Sequence, residues 1–114
     1  MRIVVLVSIL FSLSALSESL DERISSAIFD GNISRLRTLL RGVNLGESGT
    51  KYLGEAVFFR KAQVIRVLVE HGANLEGVNA FGRTPLMDAV EGSDVDMATV
   101  RALVELGANV NAVS

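Results

Sequence analysis

Side chains able to do chemistry are few in this chain of 114 residues. Cysteine is absent, which removes disulfides, thiolate metal sites and thiol nucleophiles together. His71 is the single histidine and stands one residue before Gly72, at the end of an apolar-periodic segment. A basic group there suits the negative end of a helix dipole. Asp94 and Asp96 lie close together in a polar run. Calcium takes roughly six to eight oxygens, and the run lacks EF-hand spacing. The pair therefore reads as a solvated turn with one acid capping the following helix. Phosphate-binding glycine loops, nucleophile elbows and zinc-ligand pairs are all missing. The residue inventory points away from catalysis, cofactors and metals, and towards binding.

Composition narrows the binding class. Hydrophobic residues make up 49% of the chain and charged residues 21%, which is a folded composition and not a disordered one. A net charge of -2 argues against nucleic acid, whose phosphates require a basic surface. The charges are unevenly spread. Residues 23–66 hold eight basic side chains against three acids, and residues 67–114 hold two against seven. Such a molecule either steers a charged partner or simply presents two solvated surfaces.

Residues 1–17 read as an address. A basic start at Arg2, an apolar run from Ile3 to Leu16 and the small-x-small exit Ala15-Leu16-Ser17 make a secretory signal peptide. The acids Glu18, Asp21 and Glu22 close the run before it reaches the roughly 20 residues of a spanning helix. Export, secreted or periplasmic, follows from that reading. The competing readings are an uncleaved membrane anchor and a buried helix of the fold. The body is then 18–114.

That body repeats. Glu70-His71-Gly72-Ala73-Asn74-Leu75 returns as Glu105-Leu106-Gly107-Ala108-Asn109-Val110, and Leu40-Arg41-Gly42-Val43-Asn44-Leu45 is a weaker copy. Gly82-Arg83-Thr84-Pro85-Leu86-Met87-Asp88-Ala89-Val90 aligns with Gly49 to Val57. Each copy predicts two short helices. Thr84 caps a helix whose first residue is Pro85, where a missing N–H costs nothing. Leu86, Ala89 and Val90 form its apolar stripe over about two turns. A turn such as Asp30-Gly31-Asn32 follows. The second helices carry Ile33, Leu36, Leu39 and Leu40; then Val64, Val67 and Leu68; then Val100, Leu103 and Val104. Gly42, Gly72 and Gly107 stand where a left-handed cap is wanted, and Asn79 to Gly82 reads as a tight turn. The last copy carries an insertion in the polar run Glu91 to Asp96. Helices this short are marginal alone, so the fold class is all-α, a solenoid whose copies bury one another.

On Gly82-Arg83-Thr84-Pro85-Leu86 and the two Gly-Ala-Asn runs at Gly72 and Gly107, the chain resembles the ankyrin repeat family, with about three repeats near 20–45, 46–78 and 79–112 joined by tight hairpin tips. The second copy has Lys51-Tyr52 in place of Thr-Pro, and Met87 stands where the family usually has a histidine that ties neighbouring repeats. The resemblance implies a protein partner held by the turn tips and the outward face of the first helices. Carried over, the tips are Glu47, Ser48 and Thr50, then Ala80, Phe81 and Arg83. The first-helix positions are Phe29 and Asp30, then Phe58 and Phe59, then Glu91 and Gly92. Phenylalanines in these slots suggest an adhesive surface with Arg60 and Lys61 at its border, suited to an acidic partner. The opposing reading folds Phe29 inward and puts one of Phe58 and Phe59 in the core. At the far end, the stripe Val100, Leu103, Val104 either belongs to the preceding copy, meets a further repeat of a longer array, or pairs with a second molecule.

Overall fold

The computed structural model describes residues 19–91 and 94–112; the expected signal segment 1–17 and Gly92 lie outside them. Six helices are present among the described residues: α1 (Leu20–Asp30), α2 (Ile33–Leu39), α3 (Ser48–Phe58), α4 (Ala62–Glu70), α5 (Pro85–Val90) and α6 (Met97–Glu105), with a final 3-10 turn at Val110–Ala112.

Local chemistry sets most of their ends. The Ser19 side chain accepts from Glu22 N at 3.1 Å, and the acids Asp21 and Glu22 in the first turn favour the positive end of α1. Asn32 caps α2 and Thr84 caps α5, with Pro85 at the first helical position. Helix α1 closes through Gly31 at φ 67°, with Asn32 N bonded to Ala27 O. Helix α3 closes the same way, Lys61 N on Ala56 O, yet the left-handed residue is Arg60 at φ 58°. Gly42, Gly72 and Gly107 all adopt the positive φ expected of them. His71 ends α4, its Nδ1 donating to Val67 O at 2.8 Å.

The helices form three antiparallel pairs stacked in two layers. Helices α1, α3 and α5 make one layer and α2, α4 and α6 the other, each helix touching its pair-mate and its neighbour along the stack. Ala27, Ala56 and Ala89 recur at the buried face of the first layer, flanked by Ile24, Ile28, Leu53, Val57 and Leu86. The second layer contributes Leu36, Leu40, Val64, Ile65, Val67, Leu68, Ala102 and Leu103. Consecutive repeats meet closely at Gly49, where an added Cβ would lie 2.6 Å from Ala73 Cβ.

Polar ties run from each pair to the next. Leu45 N donates to His71 O at 2.8 Å. Tyr52 Oη donates to Asp21 at 2.6 Å, and Lys51 pairs with the same carboxylate at 2.7 Å. Those two bonds hold the Asp21 carboxyl below its ordinary range, the Lys51 bond first. Burial, then Asp21, pushes the Tyr52 phenol up. Arg37–Glu70, Arg60–Asp94 and Arg66–Glu105 join basic residues of the front half to acids of the back half. The uneven charge seen in the sequence is thus partly consumed in internal pairing between repeats.

Three sequence expectations need correction. Val90 and Val104 are exposed, not core: the buried residues are Pro85, Leu86 and Ala89 in α5, and Thr99, Ala102 and Leu103 in α6. Met97 is exposed too, so the last stripe is only partly used by the preceding copy; buried Thr99 stands on the inner face of α6 instead. Ser48 and Thr50 are not turn-tip residues: helix α3 begins at Ser48 with Glu47 before it, and its 11 residues make about three turns.

Candidate functional site

Helices α1 and α3 bury Ile24, Ala27, Ile28 and Leu53, Ala56, Val57 respectively. Phe29 and Phe58 follow one residue later, about 100° further round the helix and therefore outside the stripe. Phe29 is 60% exposed, Phe58 79% and Phe59 36%. The Phe59 ring stands edge-on to Phe29 at 5.0 Å and to Phe58 at 5.1 Å. Such edge-to-face packing holds the three rings as one cluster. Neither Phe29 nor either ring of the adjacent pair folds into the core. Asp30 is exposed beside them. Ser25, Ser26, Lys51, Gly54 and Glu55 complete a hollow with the rings. Ser25 Oγ donates to Glu55 Oε1 at 3.1 Å, while Glu55 Oε2 is buried without a hydrogen-bond partner among the described residues.

Phe81 belongs to the turn before α5 and is 86% exposed. The turn beneath it is tightly built. Asn79 Oδ1 accepts from Phe81 N at 2.9 Å and Arg83 N at 3.2 Å, and Asn79 Nδ2 donates to Asp88 at 3.0 Å. Gly82, at φ 73°, returns its N–H to Asn79 O. Arg83 donates through Nε to Asp88 at 2.8 Å and through Nη2 to Met87 O at 3.0 Å, and pairs with Glu91 at 3.1 Å. Hence Arg83 is half-buried and occupied in bracing the tip, with its guanidinium pushed up chiefly by the Asp88 bond. Ala80 is exposed next to the ring that this bracing presents.

Between Phe58 and Phe81 runs a groove of about 680 Å³, with Arg60, Arg83, Asp88, Glu91, Asp94 and Asp96 along it. Phe58 borders both this groove and the Phe29–Phe59 hollow, so the four rings line one continuous face. Arg60 is held by Asp94 at 2.6 Å, which raises its pKa further. Asp96 stands at the cap position of α6 and makes no side-chain bond to the helix backbone; it accepts from the Thr99 hydroxyl at 2.6 Å.

The structure brings Phe29, Asp30, Phe58, Phe59, Ala80, Phe81, Arg83 and Glu91 to this face and leaves three of the expected residues elsewhere. Glu47 and Thr50 border a separate groove with Asn74, Gly77 and Val78, and Ser48 is exposed on the first turn of α3. Asn79, Asp88 and Asp94 were not among the expected site residues. Their signal was present: Asn79 opens a four-residue turn, and opposite charges at Arg60 and Asp94 are separated by about one repeat.

The family model for ankyrin repeats in three copies matches residues 24–114. The chain belongs to the ankyrin-repeat family. Two plant relatives of this ankyrin stack bear the name E3 ubiquitin-protein ligase. XBOS34 of Oryza sativa subsp. japonica is 40% identical over 70 residues, covering 61% of this chain and 14% of the relative. XBAT34 of Arabidopsis thaliana is 40% identical over 72 residues, covering 62% of this chain and 19% of the relative. The chain thus spans less than a fifth of the length of either. No solved structure gives a significant match.

Proposed function

We propose that the stack is a non-catalytic module that captures a protein partner on the face lined by Phe29, Phe59, Phe58 and Phe81. One observation carries the reading: every phenylalanine among the described residues is on the surface, while the core is filled by aliphatic side chains and Tyr52. Aromatic anchors dominate interface energetics, and a contiguous exposed set is the signature of an interaction surface. The Asn79–Arg83–Asp88 network supports it by holding Phe81 in place before a partner arrives, which lowers the entropy lost on binding. The residues in this face form no convergent nucleophile, base and oxyanion arrangement.

Export belongs to the same proposal and rests on the pattern of residues 1–17. The ligase activity named for the plant relatives is not carried across, since the match covers a small part of each. The test is to display wild-type chain and the triple variant F29A/F58A/F81A as baits and identify retained proteins by mass spectrometry. A partner retained by the wild type and lost with the variant, at unchanged helicity, supports the reading; retention unchanged by the variant overturns it. The intact mass of exported material settles the address: a start near Glu18 supports export, and full-length chain in the membrane fraction supports an anchor.

A further inference from the structure

We propose that the groove between Phe58 and Phe81 selects a basic side chain, an arginine or lysine, flanked in the partner segment by an apolar residue that seats on the Phe29–Phe59 hollow. The proposal rests on the protein-binding reading and names the chemistry of what binds.

Charge decides the chemistry. The groove holds four carboxylates, Asp88, Glu91, Asp94 and Asp96, against two guanidiniums, Arg60 and Arg83. Both guanidiniums already have acids: Arg60 is on Asp94 at 2.6 Å, and Arg83 is on Asp88 at 2.8 Å and Glu91 at 3.1 Å. An acidic partner would have to displace one of these bonds. A cation meets the opposite situation, because two negative charges remain uncompensated and Asp96 is bonded only to a neutral hydroxyl. The proposal departs from the sequence expectation that Arg60 and Lys61 would suit an acidic partner, because Arg60 is already held by Asp94.

Geometry agrees. A groove of about 680 Å³ accommodates a long side chain. Its walls are the two most exposed phenylalanine rings among the described residues, and aromatic faces attract ammonium and guanidinium groups while covering their aliphatic stems. The hollow next to Phe58 is mostly apolar, so an adjoining aliphatic or aromatic residue has its own seat.

The test is selection of a display library of short random peptides on the full chain. The expected result is enrichment of peptides that pair Arg or Lys with a neighbouring apolar residue, basic residues rising about fivefold over the input, a factor in keeping with a few exposed ion pairs. Anisotropy with a selected peptide should show affinity falling as salt is raised. The variant E91Q/D96N keeps Arg83 on Asp88 and leaves Thr99 an acceptor; it should still enrich apolar peptides while losing the basic bias. F58A/F81A should enrich nothing. Enrichment of neutral or acidic peptides that F58A/F81A abolishes would overturn the charge selection and leave the aromatic binding face standing. No enrichment by the wild type would overturn both.

Discussion

Replacing Phe81 or Phe58 by alanine removes a ring that contributes little to the folded state. With 86% of Phe81 and 79% of Phe58 exposed, only a small part of each is covered. A phenylalanine presents on the order of 200 Å², so the covered areas are about 30 and 40 Å². At about 25 cal/mol per Å² these contribute about 0.7 and 1 kcal/mol. Leu53 provides the contrast, since it is fully buried between the layers, and Leu53→Ala should cost about 2–5 kcal/mol. In a domain this small, 1 kcal/mol moves the melting temperature by about 4–8 °C. Thermal unfolding followed by far-UV circular dichroism should rank the variants with F81A and F58A near wild type and L53A far below. Binding should rank in the opposite order, with anchor loss weakening partner affinity about thirtyfold or more. A loss above about 3 kcal/mol for either phenylalanine would refute the reasoning, because it would show the ring to be part of the core.

Other changes probe the scaffold beneath that face. Gly49→Ala drives a Cβ to within 2.6 Å of Ala73 and should destabilise by about 1–3 kcal/mol, visible as an earlier urea midpoint. Thr84→Ala removes the oxygen that accepts from Met87 N and should cost about 1 kcal/mol by the same assay. Tyr52 is the single tyrosine, so its phenolate absorbance reports one site. Its pKa is raised in the fold by burial and then by Asp21. Its contribution to stability is therefore complete below the unfolded value of about 10 and is lost as pH rises through the folded value. The native titration should lie above that of the urea-unfolded chain, and coincident curves would contradict the half-buried Tyr52–Asp21 bond. Asp21 behaves in the opposite sense. Its pKa is lowered, first by the Lys51 bond, so its contribution is present above about pH 4 and lost as pH falls through the folded value. Asp21→Asn should flatten that acid limb in pH-dependent melting.

Local rules made much of this fold readable. Thr84-Pro85 marked a helix start, and Gly42, Gly72 and Gly107 marked helix ends, because each satisfies a backbone requirement visible in a few residues. The start of α3 was not readable, since Glu47 offers no side-chain cap bond and Gly49-Thr50 resembles the turn at Gly82-Arg83. Val90 and Val104 misled because helical periodicity identifies a face and cannot say whether a neighbour covers it. The aromatic face was partly legible: Phe29 and Phe58 share a repeat position, but that Phe59 would join them outside required knowing where α3 ends. Charge was the least legible part. Arg60 stands in the left-handed slot that Gly31 fills one repeat earlier, and only the stacking of repeats shows that Asp94 already holds it.

The most direct test of the binding face is site-specific photo-crosslinking. A benzoyl-phenylalanine placed at position 58 or 81 lies on the aromatic face, whereas one at Arg101 lies on the exposed side of α6. With a partner identified by its dependence on the phenylalanines, adducts should form from positions 58 and 81 and not from 101. Adducts from 101 with none from 58 or 81 would contradict the account and place the partner on the opposite layer of the stack.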